Sequence, residues 1–333
     1  MVEIKFDGQK YSAWRHVSLR ESVDDLCASI TLGIALPPTS DTPLALTANT
    51  IVQVWVDGIL ASTIRIGKIR RTVSASAHSI EIDARSLARE LVDCQYSITL
   101  NGLTLEALIN RICTTFNVPV KIAAKTAVVP HFSMQCEVPA NALLNAARAA
   151  NLLLYPQPDG GVILTAPSEA AAEAVLVYGQ HFTQYEVADN YDLRYSDYVV
   201  KSFDYAAGDA IKGAVKDGEF NFFRPLHIVA DKHGNNIGSC ENRATLERNR
   251  RLAKAHAINL TVPHSGHAGG LWSINSQVRI VIPQEGIDGV FLIGERTLSV
   301  GESGTETHLQ VLHRNAFVGE PRMVKKRSTG TKK

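Results

Sequence analysis

His264 and His267 have the spacing nearest to metal chemistry anywhere in this 333-residue chain. Zinc needs three or four ligands, and no Cys, Asp or Glu stands beside them, so the segment reads as a loop carrying two imidazoles. Gly301-Glu302-Ser303-Gly304 has the outline of a serine nucleophile elbow. That motif requires a glycine two residues after the serine; Thr305 stands there instead, and a hairpin turn is the better reading. Gly208, Gly213 and Gly218 lie in a stretch rich in Lys and Asp, but no G-K-[ST] follows a strand, so they form no phosphate loop. A sugar hydrolase would need two carboxylates across a cleft; Glu106, Glu137 and Glu169 are available, and spacing pairs none of them. The cysteines, Cys27, Cys94, Cys113, Cys136 and Cys240, are odd in number and never spaced C-x-x-C, which predicts buried reduced thiols. The expectation is a protein with no catalytic residues, no metal ligands and no cofactor.

One charge cluster stands out. Arg243, Glu247, Arg250 and Lys254 follow one another at three- and four-residue steps, so on a helix they share a face, with Arg251 beside them. The bland reading is a solvated face with an internal Glu247–Arg250 or Glu247–Arg251 pair. The functional reading is a surface that meets acidic partner residues or lines a channel crossed by DNA, since guanidinium groups bind carboxylate or phosphate in bidentate fashion. A formal net charge of +1 argues against a dedicated nucleic-acid binder and favours solvated or subunit-interface use of this face.

The elements that must hold these residues fall into a β, α/β, β order. Val2, Ile4 and Phe6 alternate up to Asp7-Gly8, a hairpin signal; Ile30 to Leu36 alternate up to Pro37-Pro38; Val52, Val54 and Val56 run into Asp57-Gly58. A short helix over 85–92 closes this part. Leu105, Leu108, Ile109, Ile112 and Phe116 lie on one helical face behind Thr104 as N-cap, and a second helix starts at Pro139. Pro158 to Gly161 is a third hairpin. Residues 167–182 are ambiguous, 195–203 read as a strand, and 206–221 as a mobile excursion. Glu241 to Ala257 is a strong helix, after which the period returns to two. No internal repeat is legible in the residues.

Hydrophobic residues at 45% and charged residues at 20% suffice for packed cores in two or three domains. No apolar run is long enough to span a bilayer, and the first residues read as a strand instead of a signal peptide. The polar end, residues 321–333, is expected to be a disordered basic tail.

An ordered series of short motifs resembles the Mu-like phage baseplate hub family. Asp7-Gly8, Trp14, Val17-Ser18, Arg20 and Ser22 open it, and Arg85-Ser86 with Leu91 to Cys94 follow. Arg194 to Tyr198, Arg224-Pro225, Arg248 to Ala253, Leu271-Trp272, Asn275 and Arg314 to Phe317 complete it. The resemblance covers about residues 1–319 and extends to the N-terminal part of type VI secretion spike proteins. It implies a β-rich α+β fold: two related β-barrel-like domains with a small α/β domain between them, assembling as a trimeric pseudo-six-fold ring. By that analogy the first barrel is 1–92, the α/β domain combines 93–182 with 214–258, and the second barrel combines 183–213 with 259–320. It also implies the function: a structural hub in the virion, assembled in the host cytoplasm. The hub joins the six-fold tail tube, or a tube adaptor, to the three-fold tail spike, around a channel through which DNA passes. No membrane insertion by this chain is implied. The alternatives left by the residues are a tail-associated peptidoglycan hydrolase and a DNA-binding accessory protein using the Arg243–Lys254 face.

Overall fold

The computed structural model describes residues 2–12, 14–36, 46–74, 78–204, 208–230, 237–302 and 304–317. Pro37-Pro38, Ser303 and the basic tail lie outside the described residues.

The chain begins with β1 (Val2–Phe6), β2 (Gln9–Tyr11), β3 (His16–Ser22), β4 (Ser29–Leu36), β5 (Ile51–Val56), β6 (Ile59–Val73) and β7 (His78–Ser86). Alternation does the work expected of it: β1 buries Val2, Ile4 and Phe6 and leaves Glu3 and Lys5 partly open. Asp7 and Gly8, and again Asp57 and Gly58, take the positive φ angles that two-residue hairpins demand.

The middle runs α1 (Arg89–Asp93), β8 (Tyr96–Thr104), α2 (Leu105–Thr115), β9 (Val120–Ile122), β10 (Val128–Glu137), α3 (Pro139–Ala149), β11 (Leu153–Pro156) and β12 (Val162–Thr165). Thr104 caps α2 by accepting from the Ala107 amide at 3.3 Å. Helices α2 and α3 share one apolar core with the neighbouring strands, centred on Leu108, Ile112, Phe132 and Leu143. The helix expected over 85–92 starts later, at Arg89, because Arg85 and Ser86 still pair in β7.

The last part holds β13 (Ala174–Val177), β14 (Gln184–Val187), β15 (Asp197–Asp204), β16 (Asp209–Lys216), β17 (Pro225–Val229), α4 (Ile237–Ala255), β18 (Ile258–Val262), β19 (Gly266–His267), β20 (Gly270–Leu271), β21 (Gln277–Ile282), β22 (Ile287–Gly301) and β23 (Gly304–His313). Two expectations change here. Residues 209–216 of the supposed mobile excursion form β16, paired with β15 along eight residues. And β15, grouped by analogy with the second barrel, pairs only with β16 and β17 and packs through Tyr198 and Val200 on Cys240 and Ala244 of α4. Both edges of β15 are thus taken within this three-stranded sheet, and its buried face lies on α4. Likewise β13, placed by analogy in the α/β domain, pairs with β21.

The two outer β regions are built alike. In the first, the strands lie in the order β3-β4-β7-β6-β5; in the second, β14-β18-β23-β22-β21. Every neighbouring pair in both sets is antiparallel. The fourth strand of each set is 15 residues long. Each long strand carries a bulge at a glycine: the register slips between Ile66 and Lys68 around Gly67, and between Ile293 and Glu295 around Gly294; β6 has a further slip against β5 near Ala61. Ile30 and Ile258, then Leu32 and Leu260, therefore hold equivalent places.

The two repeats are fused into one sheet. The second half of β22 pairs with β3 from Glu295↔Ser22 to Val300↔Val17. The long strand of the second repeat thus adds to the first strand of the first repeat.

Candidate assembly site

The charged helix face does not point to solvent. Side-chain exposures of Arg243, Glu247 and Arg250 are only 10%, 15% and 9%. What draws them inward is Asp24, in the loop between β3 and β4. Its carboxylate is reached by Arg250, by Lys254 Nζ at 2.6 Å and by Arg148 of α3 at 3.5 Å. Burial alone would raise the Asp24 carboxyl, but Arg250, Lys254 and Arg148 together outweigh it and hold it well below the usual carboxylate range. Burial, then the like charge of Arg250, lowers Arg148 to about 10. One carboxylate therefore ties together the first β repeat, α3 and α4.

Glu247 serves the rest of the face. It accepts from Arg251 Nε at 2.7 Å and lies 3.9 Å from Arg243. Of the two internal pairs expected, Glu247–Arg251 forms, while Arg250 is taken by Asp24. Burial opposes ionisation of Glu247, and the surrounding arginines reverse that, leaving its pKa lowered. Arg251 also lies over the Tyr195 ring, and Arg250 over Phe317 near the end of the described chain. Lys254 and Arg251 keep the larger exposures of the five, 42% and 30%.

A second ion pair sits where the repeats meet. Glu21 of β3 and Arg296 of β22 face each other in register, are both below 7% exposed and hydrogen-bond directly. Arg296 also donates to the Trp272 carbonyl. Burial raises the Glu21 pKa, and Arg296 only partly offsets it. This pair borders a cleft of about 450 Å³ that also receives Tyr155, Glu173 and His267. Its polar groups are matched to one another: Glu173 lies 3.2 Å from His267, and Tyr155 accepts from Asn275 at 3.3 Å.

The other residues singled out by type sit apart. His267 tilts against Trp272, whereas the His264 carbonyl accepts from Thr307. Among the described residues no group of three or more His, Cys, Asp and Glu could hold a metal ion. Gly301 pairs with Gly304 where β22 turns into β23. Glu106 lies in the first turn of α2, Glu137 ends β10, and Glu169 is held by Arg314. Cys113 and Cys240 are buried as expected, Cys27 and Cys94 are only half-buried, and Cys136 is exposed, with positive φ at the bulge of β10.

Two residues that composition could not single out matter locally. Arg194 is 1% exposed, grips Asp217 with two nitrogens at 2.8–3.1 Å and pairs with Glu219 at 2.8 Å. It thereby fixes the 217–224 turn, whose Phe222 and Phe223 stand 58% and 79% exposed. Asp24 is the other; as the first of two adjacent acids, it carries no sequence signal of its three cationic partners.

Comparison with known proteins follows the same lines as the fold. Residues 88–166, which span α1 to β12, match the family model "Baseplate hub protein gp44-like, second domain". Residues 237–320, from the start of α4 to beyond β23, match "Mu phage baseplate assembly protein GpP, fourth domain". The baseplate hub protein gp44 of Escherichia phage Mu is 25% identical over 95% of this chain and 89% of its own length. The 43 kDa tail protein of prophage MuSo2 from Shewanella oneidensis superposes with a TM-score of 0.81 at 21% identity, covering 95% of this chain and 99% of that one. The E. coli c3393 protein, a component of the type VI secretion system, superposes with a TM-score of 0.60 at 9% identity, over 97% of this chain and 80% of that one. The fold is one shared with phage tail proteins and with a component of the type VI secretion system. Within that fold, two stretches of this chain match domain models of Mu-like phage baseplate proteins, and nearly its whole length is similar to the Mu baseplate hub protein. No helix among the described residues is long and apolar enough to cross a membrane.

Proposed function

We propose that the chain is a non-enzymatic hub that converts the three-fold symmetry of a tail spike into the six-fold symmetry of a tail tube. The observation that carries this reading is the duplicated strand order within one chain. Three copies of a two-repeat chain present similar edges six times, so one ring can meet both symmetries. The hole of such a ring is the passage for DNA, and the partners are the spike on one side and the tube, or a tube adaptor, on the other. The hub is assembled in the host cytoplasm and travels in the virion. The charge network fits a scaffold role: Arg243, Glu247 and Arg250 lock the subunit, while Arg251 and Lys254 keep the exposure needed at an interface or channel wall.

Light scattering and negative-stain microscopy of the purified chain test this reading. Three copies around a central hole are expected. A particle that stays monomeric alone and in the presence of its spike would overturn it.

A further inference from the structure

Each partner in the joint between the repeats has a counterpart whose edge, among the described residues, stays open. Within the chain, the second half of β22 is flanked by β23 and by β3. Its counterpart in the first repeat, residues 68–73 of β6, has β7 on one side and, among the described residues, no strand on the other. The counterpart of β3 is β14, which among the described residues pairs with β18 alone. We infer that residues 68–73 of β6 pair antiparallel with β14 of a second copy of this chain, repeating between subunits the β22·β3 joint seen within one. The inference deepens the ring reading and rests on it.

Superposing the repeats fixes the register. Lys68 takes the place of Glu295, and Val73 that of Val300. Tyr185 takes the place of Val17, and Val187 that of Leu19. The intrachain pairs Leu298↔Leu19 and Val300↔Val17 then become Arg71↔Val187 and Val73↔Tyr185.

Three observations fit these edges to each other. First, the backbone groups point correctly. Ala188 N–H donates inward to Ala257, so Val187 and Asp189 on either side turn theirs to the open edge. Neither segment contains proline, which would leave a gap in the ladder. Second, charge is complementary: Lys68, Arg70 and Arg71 stand on one edge, Glu186 and Asp189 on the other. The register sets Arg70 diagonal to Glu186, the same diagonal that joins Arg20 to Glu295 at 2.7–2.8 Å across the intrachain joint. Third, Val73 and Val187 are 65% and 38% exposed in the single chain and would be covered by the pairing. Because the two edges differ, the contact is head-to-tail, the kind that closes into a ring.

Cross-linking in the intact chain tests the register. Thr72 and Glu186 would form a non-hydrogen-bonded pair, whose Cα separation of about 4.5 Å admits a disulfide. In a Cys136→Ser background, Thr72→Cys and Glu186→Cys chains are mixed and oxidised, with Lys68→Cys plus Glu186→Cys as the off-register control. A covalent dimer from the mixture, with neither variant alone nor the control yielding it, is expected. The double variant should close into a covalent ring as large as the non-covalent one. An oligomer of unchanged size by light scattering, with no covalent dimer, would overturn the pairing and leave the ring reading intact. Monomer throughout would overturn both.

Discussion

Asp24 is the residue on which most of the internal charge converges. Replacing it with Asn leaves Arg148, Arg250 and Lys254 crowded without their anion, a change that costs on the order of 3 kcal/mol for a largely buried pair. Chemical denaturation of Asp24→Asn against the parent measures it. The pH dependence follows from the direction of the shift. Asp24 binds its proton more weakly folded than unfolded, so its stabilisation is complete above the ordinary carboxylate pKa of about 4 and is lost as pH falls below it. The stability gap between parent and Asp24→Asn should narrow progressively in acid; a gap independent of pH would show that the carboxylate is not the group at work. The sequence made the cationic half of this network legible, since helical spacing put Arg243, Glu247, Arg250 and Lys254 on one face. It could not supply the acid, because Asp24 lies more than 200 residues away and meets them only through the tertiary fold.

At the scale of the elements, the glycine bulges distinguish the two long strands. A Cβ on Gly294 would come within 2.9 Å of Leu312, a buried side chain with little room to yield, whereas one on Gly67 meets its neighbours at an ordinary 3.5 Å. Gly294→Ala should therefore lose about 1–3 kcal/mol by overpacking, and Gly67→Ala should be close to neutral. Thermal melts of the two variants check the contrast; equal losses would mean that the bulges are equivalent in packing as well as in position. Strands and hairpins here were readable from alternation and from Asp-Gly turns, because local φ requirements and two-residue burial are written locally. The assignment of β15 and β16 was not. Whether a strand such as 197–204 joins the outer sheet or packs on α4 depends on where Tyr198 and Val200 find a face, and the buried side of a strand is not marked with its partner. The repeat escaped notice for a related reason. Equivalent positions such as Ile34 and Val262, or Ile82 and Leu309, need only be apolar, so strand order is duplicated with almost no shared residues.

For the whole molecule, the two repeats are fused through β22 and β3, and the proposed ring would repeat that contact between subunits. The buried Glu21–Arg296 pair at that joint aligns the strands, and truncating Arg296 to Ala should loosen the two repeats relative to each other. Hydrogen exchange would report this as faster exchange confined to residues 17–22 and 295–300, with the α2–α3 core unchanged. The family resemblance came from an ordered series of short motifs across the chain, each too weak to stand alone, and it implied two related domains; the residue-by-residue equivalence of the two strand sets is visible only in the strand pairing. The most direct test of the hub account is the native mass of the purified chain across a range of concentrations. Three copies, persisting on dilution and seen by microscopy around a central hole, is the predicted result. A dimer or tetramer, or a monomer that persists in the presence of the spike, would contradict the matching of three-fold to six-fold symmetry.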